Sequence, residues 1–312
     1  MHIANPIYDV AFKFMMEDNR VARAFLSAII QEEVVELDFA SQERTARIKG
    51  GGRKKVETET TQYTVCRFDF SARIALPGGK FKTVMIELQK AKLASDIMRF
   101  RRYLGLHYEN PENVYGGKNS RKARQIYCIF LLGYDIGISG RPVIQVDSHT
   151  KDAVTDEEVE TQSNEFIESL HHRSWIVQID QLKQRRRSDL EKLLSIFDQT
   201  NRTMNHHCMK VNEEDFPEIY RPIIRRLRMA AESEDIQIEM EMEDDFLKEL
   251  QDRERELAEE KEITREQKKT LREQKKALKE QGKVLKEQGK ALEEKDKAIE
   301  DLKRQLSEMQ RK

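Results

Sequence analysis

The chain has 312 residues, a formal net charge of -1 and a mean hydropathy of -0.77, and 36% of its residues are charged. That length suits one sizeable domain plus an extended part, and so polar a chain cannot be packed core throughout. Three cysteines without CxxC spacing (Cys66, Cys128, Cys208) exclude a disulfide framework and a zinc ribbon, and fit a reducing cytoplasm.

The first residues, Met1-His2-Ile3-Ala4-Asn5-Pro6, lack the basic start and apolar run of a secretion signal. No window of the chain is apolar for long enough to span a bilayer, so no membrane partner is expected. Tyr8 to Gln31 reads as one amphipathic helix, with Val10, Phe14, Val21, Phe25, Ala28 and Ile29 near helical spacing. On it, Asp9 and Lys13 stand at i and i+4, the spacing of an ordinary helix ion pair. Val34 to Phe39 reads as a short strand. Ser41 to Gln62 is polar and Gly-rich, which predicts a loop or exposed hairpin tip.

Thr64 to Ala91 predicts a hairpin. On its first strand Cys66, Phe68, Phe70, Ala72 and Ile74 alternate with Arg67, Asp69, Ser71 and Arg73. On the second, Val84, Ile86 and Leu88 alternate with Met85, Glu87 and Gln89. Leu76-Pro77-Gly78-Gly79-Lys80 supplies the turn, because Pro fixes one dihedral and Gly allows positive φ. A three-residue loop, Pro77 to Gly79, sets Asp69 opposite Glu87, with the two carboxylates roughly 5 Å apart on one face. A two-residue loop would pair Asp69 with Leu88 and set a charge against the apolar face. The three-residue register is therefore expected. Two like charges held side by side repel unless a cation sits between them, and oxygen ligands at that spacing suit Mg²⁺ or Mn²⁺.

A helix over about Leu93 to Tyr108 follows, with Arg99, Arg102 and Tyr103 on one face at i, i+3 and i+4. That face has the chemistry to hold a phosphodiester, since guanidinium groups match phosphate oxygens bidentately. A structural salt bridge from one Arg to Asp69 or Glu87 is an equal alternative. Arg124 to Tyr134 reads as a strand buried on both faces. Val143 to Val146 and Trp175 to Ile179 read as further strands, and Ser188 to Gln199 and Glu218 to Ala231 as helices. This order predicts an α/β fold, a mixed sheet flanked by helices.

The basic run Lys183-Gln184-Arg185-Arg186-Arg187 fits a solvated surface better than a nucleic-acid contact. Neither His171-His172 nor His206-His207 can chelate alone, because adjacent residues share no face. GxxxxGK[ST], GxGxxG and GxSxG are absent, which removes the common nucleotide-binding and serine-hydrolase classes. The acidic run Glu232 to Asp245 reads as a linker. Beyond it Leu250, Leu257, Leu271, Leu278, Leu285, Leu292, Ile299 and Leu306 share one heptad position. The partner position is mostly Gln, and Gly282 and Gly289 are expected to interrupt the helix. A long single helix or weak coiled coil of about 90 Å is predicted over 246–312, suited to homo-oligomerisation or docking.

Tyr8-Asp9-Val10-Ala11-Phe12-Lys13, Arg67-Phe68-Asp69-Phe70, Ile86-Glu87-Leu88-Gln89 and Arg99 with Arg102-Tyr103, in this order, resemble the PD-(D/E)XK nuclease family transposases, the recombination-promoting nucleases. The resemblance is densest over 5–134 and extends to 231, with 180–231 as a helical extension. It implies a restriction-endonuclease-like fold and Mg²⁺- or Mn²⁺-dependent cleavage of DNA, associated with recombination or transposition. By position, Asp69 resembles the motif aspartate, Glu87 the second metal-binding acid, and Asp9 an acid of the first helix that assists the metal. Lys13, Arg99, Arg102 and Tyr103 fall where phosphate or DNA contacts are implied. Gln89 stands where the wider superfamily has Lys; it can orient a water but supplies no charge, which leaves Lys13, Lys90 or Arg99 to do so. Two other classes stay open: a non-catalytic DNA-binding or assembly protein on the same fold, and a coiled-coil scaffold.

Overall fold

In the computed structural model of the chain, residues 1–39, 67–91, 97–111, 113–115, 122–159 and 164–309 are described. The polar Ser41 to Gln62 segment, the first residues of the expected hairpin and Leu93 lie outside them. The strands are β1 (His2–Ala4), β2 (Val34–Phe39), β3 (Arg67–Leu76), β4 (Lys80–Ala91), β5 (Val114–Tyr115), β6 (Lys122–Ala123), β7 (Gln125–Leu132), β8 (Val143–Val146), β9 (His172–Gln178) and β10 (Cys208–Lys210). The helices are α1 (Asp9–Met16), α2 (Asn19–Ile30), α3 (Ile97–Glu109), α4 (Glu165–Ser169), α5 (Asp189–Leu194), α6 (Arg221–Glu232) and α7 (Glu234–Met309).

One sheet organises the first unit, in the order β2-β3-β4-β7-β9-β8. β2, β3 and β4 pair antiparallel in turn, β4, β7 and β9 run parallel, and β8 returns antiparallel to β9. The mixed α/β class is thus as the alternation pattern predicts. Phe68, Phe70, Ile86, Leu88, Ile129 and Trp175 fill one face of the sheet and pack against Phe12, Phe25, Leu193 and Leu227 of the helices. Phe12 sits 5.8 Å from both Phe25 and Phe68, in edge-on geometries that aromatic quadrupoles favour. The opposite face carries Asp69, Glu87, Gln89 and Cys128 by strand alternation. There α3 lies over it, with Phe100 against Phe130 at 4.9 Å.

Three expectations need correction. The single helix over Tyr8 to Gln31 is two, because Asp18 adopts extended backbone and its side chain accepts the amides of Arg20 and Val21, starting a new helix. The acidic run 232–245 is not a linker: Glu232 ends α6, and from Glu234 on the run forms the first turns of α7. Ile236 and Met240, one turn apart, pack against Ala4, Tyr8 and Ala11. Its acids are satisfied there: Glu243 accepts from the Asp9 amide at 2.7 Å, and Asp244 accepts from Tyr8 Oη at 2.9 Å and meets His207 Nε2 at 2.9 Å. Finally, α7 runs through Gly282 and Gly289 without a break. An isolated Gly costs only about 1 kcal/mol in a helix interior.

The chain divides into two compact units, Met1–Phe246 and Leu247–Lys312. The second is helix, and its stripe of Leu257, Leu271, Leu278, Leu285, Leu292 and Ile299 is 49% to 72% exposed. Truncation after residue 246 is expected to leave the thermal midpoint of the first unit unchanged. Truncation after residue 231 should lower its stability by several kcal/mol, since it strips the burial of Ile236 and Met240. Equal melting curves for the two truncations would contradict the packed role of residues 234–246.

Candidate metal centre

The turn Pro77–Gly79 fixes the site before any side chain is placed. Gly78 and Gly79 hold φ of 77° and 72°, which favours glycine, and the strands leave the turn with Leu76 opposite Lys80. Counting back along the ladder sets Asp69 opposite Glu87, the register that the apolar pattern predicts. Glu87 also faces Cys128 on the parallel neighbour β7, so it stands on a strand with neighbours on both sides.

Burial is nearly complete. The side chains of Asp69, Glu87 and His107 are 9%, 1% and 6% exposed. His107, from the last turn of α3, places Nε2 3.2 Å from Asp69 Oδ1 and 3.4 Å from Glu87 Oε2. One ligand atom from each of the three lies within 4.8 Å of the others, a compact Asp/Glu/His group of the kind that holds a divalent ion. Two residues along β4, Gln89 Nε2 donates to Glu87 Oε1. The same buried amide leaves its Oε1 without a hydrogen-bond partner among the described residues.

Asn113 anchors the imidazole from behind. Its Nδ2 donates to the His107 carbonyl at 2.9 Å and lies 3.4 Å from Nδ1. The carbonyl can only accept, so the amide nitrogen is the group that faces Nδ1, and the ring hydrogen falls on Nε2, between the two carboxylates. Burial, then the charges of Glu87 and Asp69, pushes the Cys128 thiol far above its ordinary range. Cys128 therefore lies beneath the site as a neutral thiol.

The sequence-derived candidates separate. Asp69, Glu87 and Gln89 come together. Asp9 is not in that group: its Oδ1 lies 2.6 Å from Lys90 Nζ. Lys90 follows Gln89 and projects to the opposite face of β4, where it also donates to the Ile7 carbonyl and lies 5.7 Å from the Phe12 ring. This removes Lys90 as the charge for the carboxylate face and gives Asp9 a mostly buried partner on β4. Lys13 is exposed on α1. The backbone of Arg99 belongs to α3, but its side chain lies outside the described residues. Arg102 is exposed, and at about 100° per residue it stands about 140° around α3 from His107. Tyr103, one turn before His107, is half-buried on the site's side of the helix. Arg186 and Arg187 of the basic run pair with Asp198 at 3.2 Å and Glu191 at 3.1 Å, a structural use.

His107 is the functional side chain that the sequence reading missed. The available signal was its spacing: Arg99, Tyr103 and His107 recur at i, i+4 and i+8 on one side of a helix. No protein-family model, curated protein or solved structure matches this chain.

Two measurements check this geometry. With a neutral, buried thiol, Cys128 should resist alkylation at pH 8 in the folded protein and react on unfolding, as read by peptide mass spectrometry. Lys90→Ala should destabilise the fold by on the order of 3 kcal/mol in urea unfolding, because it removes the cationic half of a mostly buried ion pair. A change below 1 kcal/mol (~) would remove the structural role assigned to Lys90.

Proposed function

We propose that the chain is a divalent-metal-dependent DNA endonuclease that hydrolyses phosphodiester bonds. The observation that carries this reading is the placement of Asp69 and Glu87 at paired positions on central strands, with His107 Nε2 within 3.4 Å of both. The order of motifs that resembles the PD-(D/E)XK nuclease family transposases directs it toward DNA. The donor set fits a divalent ion: two carboxylates, an imidazole and a buried amide oxygen open to a further contact.

Asp69 and Glu87 would hold Mg²⁺ or Mn²⁺. The bound ion supplies a Lewis acid at the scissile phosphate and lowers the pKa of a water. Gln89 fixes Glu87 through its amide nitrogen, and its Oε1, without a hydrogen-bond partner among the described residues, is placed to accept a hydrogen from a water near that carboxylate. Being neutral, Gln89 orients and does not stabilise developing negative charge. Tyr103 is the member of the α3 group best placed to meet a phosphate, with Arg99 as its neighbour one turn earlier. Arg102 and Lys13, both exposed, would meet DNA only outside the buried group.

A second reading draws on the neutral Gln89 and the exposed leucine stripe: a DNA-binding or assembly protein that oligomerises through α7 without cleaving. Nicking of supercoiled plasmid separates the two. Wild type with Mg²⁺ or Mn²⁺ should convert plasmid to open circle, and Asp69→Asn and Glu87→Gln, checked for an unchanged melting curve, should lose at least about a hundredfold in rate. Folded wild type that nicks with neither ion, or variants that nick at the wild-type rate, would overturn the nuclease reading.

A further inference from the structure

The motifs that carry the resemblance contain no histidine, yet His107 Nε2 lies within 3.4 Å of an oxygen of each acid. We propose that His107 Nε2 is a metal ligand, and that it makes the centre selective for a first-row transition ion of the Mn²⁺-to-Zn²⁺ class over Mg²⁺. The inference rests on the reading that Asp69 and Glu87 bind a divalent ion.

The geometry suits direct ligation. Metal–ligand bonds of about 2.1 Å put neighbouring ligand atoms about 3.0 Å apart at a right angle and about 3.4 Å apart at a tetrahedral one. Nε2 lies 3.2 Å from Asp69 Oδ1 and 3.4 Å from Glu87 Oε2, within that span. A second, independent feature points to a ligand. Gln89 is 1% exposed, and its Oε1 has no hydrogen-bond partner among the described residues although its amide nitrogen holds Glu87. A buried carbonyl oxygen in that position suits a metal-bound water.

Chemistry then selects the ion. Mg²⁺ prefers oxygen donors and keeps its waters, whereas imidazole favours Mn²⁺ and increasingly the later ions of the row. For Nε2 to donate its lone pair, the ring hydrogen now on Nε2 moves to Nδ1, and no proton is lost. Asn113 lies beside Nδ1, and turning its amide presents Oδ1 to the new N–H, in exchange for its bond to the His107 carbonyl.

The test uses the full chain without DNA. Calorimetric titration should show Mn²⁺ binding at least about tenfold tighter than Mg²⁺, and His107→Ala should erase that preference by weakening Mn²⁺ alone. Pulsed electron paramagnetic resonance of wild type with Mn²⁺ and ¹⁵N-labelled histidine should show a nitrogen coupling to the metal, which needs no variant to fold. Equal affinities for the two ions, or bound Mn²⁺ without nitrogen coupling, would overturn the proposal. Nicking with no histidine coupling would leave the nuclease reading standing and remove this one. Histidine-coupled Mn²⁺ in a protein that never nicks would support this inference and remove the other.

Discussion

An unbroken ladder from Arg67 opposite Gln89 to Leu76 opposite Lys80 locks β3 and β4 into one register, and both the core and the site depend on it. Side chains alternate with period two, so a one-residue slip would exchange the faces of one strand relative to the other. Ile86 and Leu88 would leave the aromatic layer around Phe12, and Glu87 would enter it. The burial that stabilises the domain is therefore the same constraint that holds two acids side by side. Selection for a packed core and selection for the acid pair act on one turn, Pro77–Gly79.

Holding the acids there is costly. Two carboxylates about 5 Å apart repel by about 3 kcal/mol at an effective dielectric of about 20. Donors to charged acceptors contribute about 1.5–3 kcal/mol each, so Gln89 on Glu87 and His107 between the pair offset that repulsion. Desolvation is a further several kcal/mol for each buried ion, and a divalent cation is the partner best able to relieve it. Cys128, directly across from Glu87, adds no third negative charge, because burial, and then the charges of the two acids, keeps its thiol protonated.

Much of this was legible in the sequence wherever one local rule decided the outcome. Alternation gave the faces of β3 and β4, the apolar pattern chose between the two registers that the Pro-Gly-Gly turn allowed, and the apolar run at Ile126 to Leu132 gave a strand buried on both sides. What escaped depended on contacts between distant segments. Helical spacing places Tyr103 and His107 on one side of α3, but only docking on the sheet decides that this side meets the acids. Glu243 and Asp244 read as part of a linker because their partners, the Asp9 amide, Tyr8 and His207, lie far away in sequence. The break between α1 and α2 was within reach: Asp18 is an N-cap residue, and the apolar periodicity on either side concealed it.

The neutral Gln89 is best understood together with its neighbour. β4 does carry a lysine beside the acids, but at the next position, and alternation sends Lys90 to the far side of the sheet. There it is committed to Asp9 and the Ile7 carbonyl, with a side chain only 1% exposed, so it cannot swing round to the carboxylate face without unfolding the start of α1. Asp9 is in turn capped through its backbone by Glu243 of α7. One strand thus does two jobs on its two faces. Toward α1 it uses a positive charge to fix the helical layer, and toward α3 it presents Glu87 and Gln89.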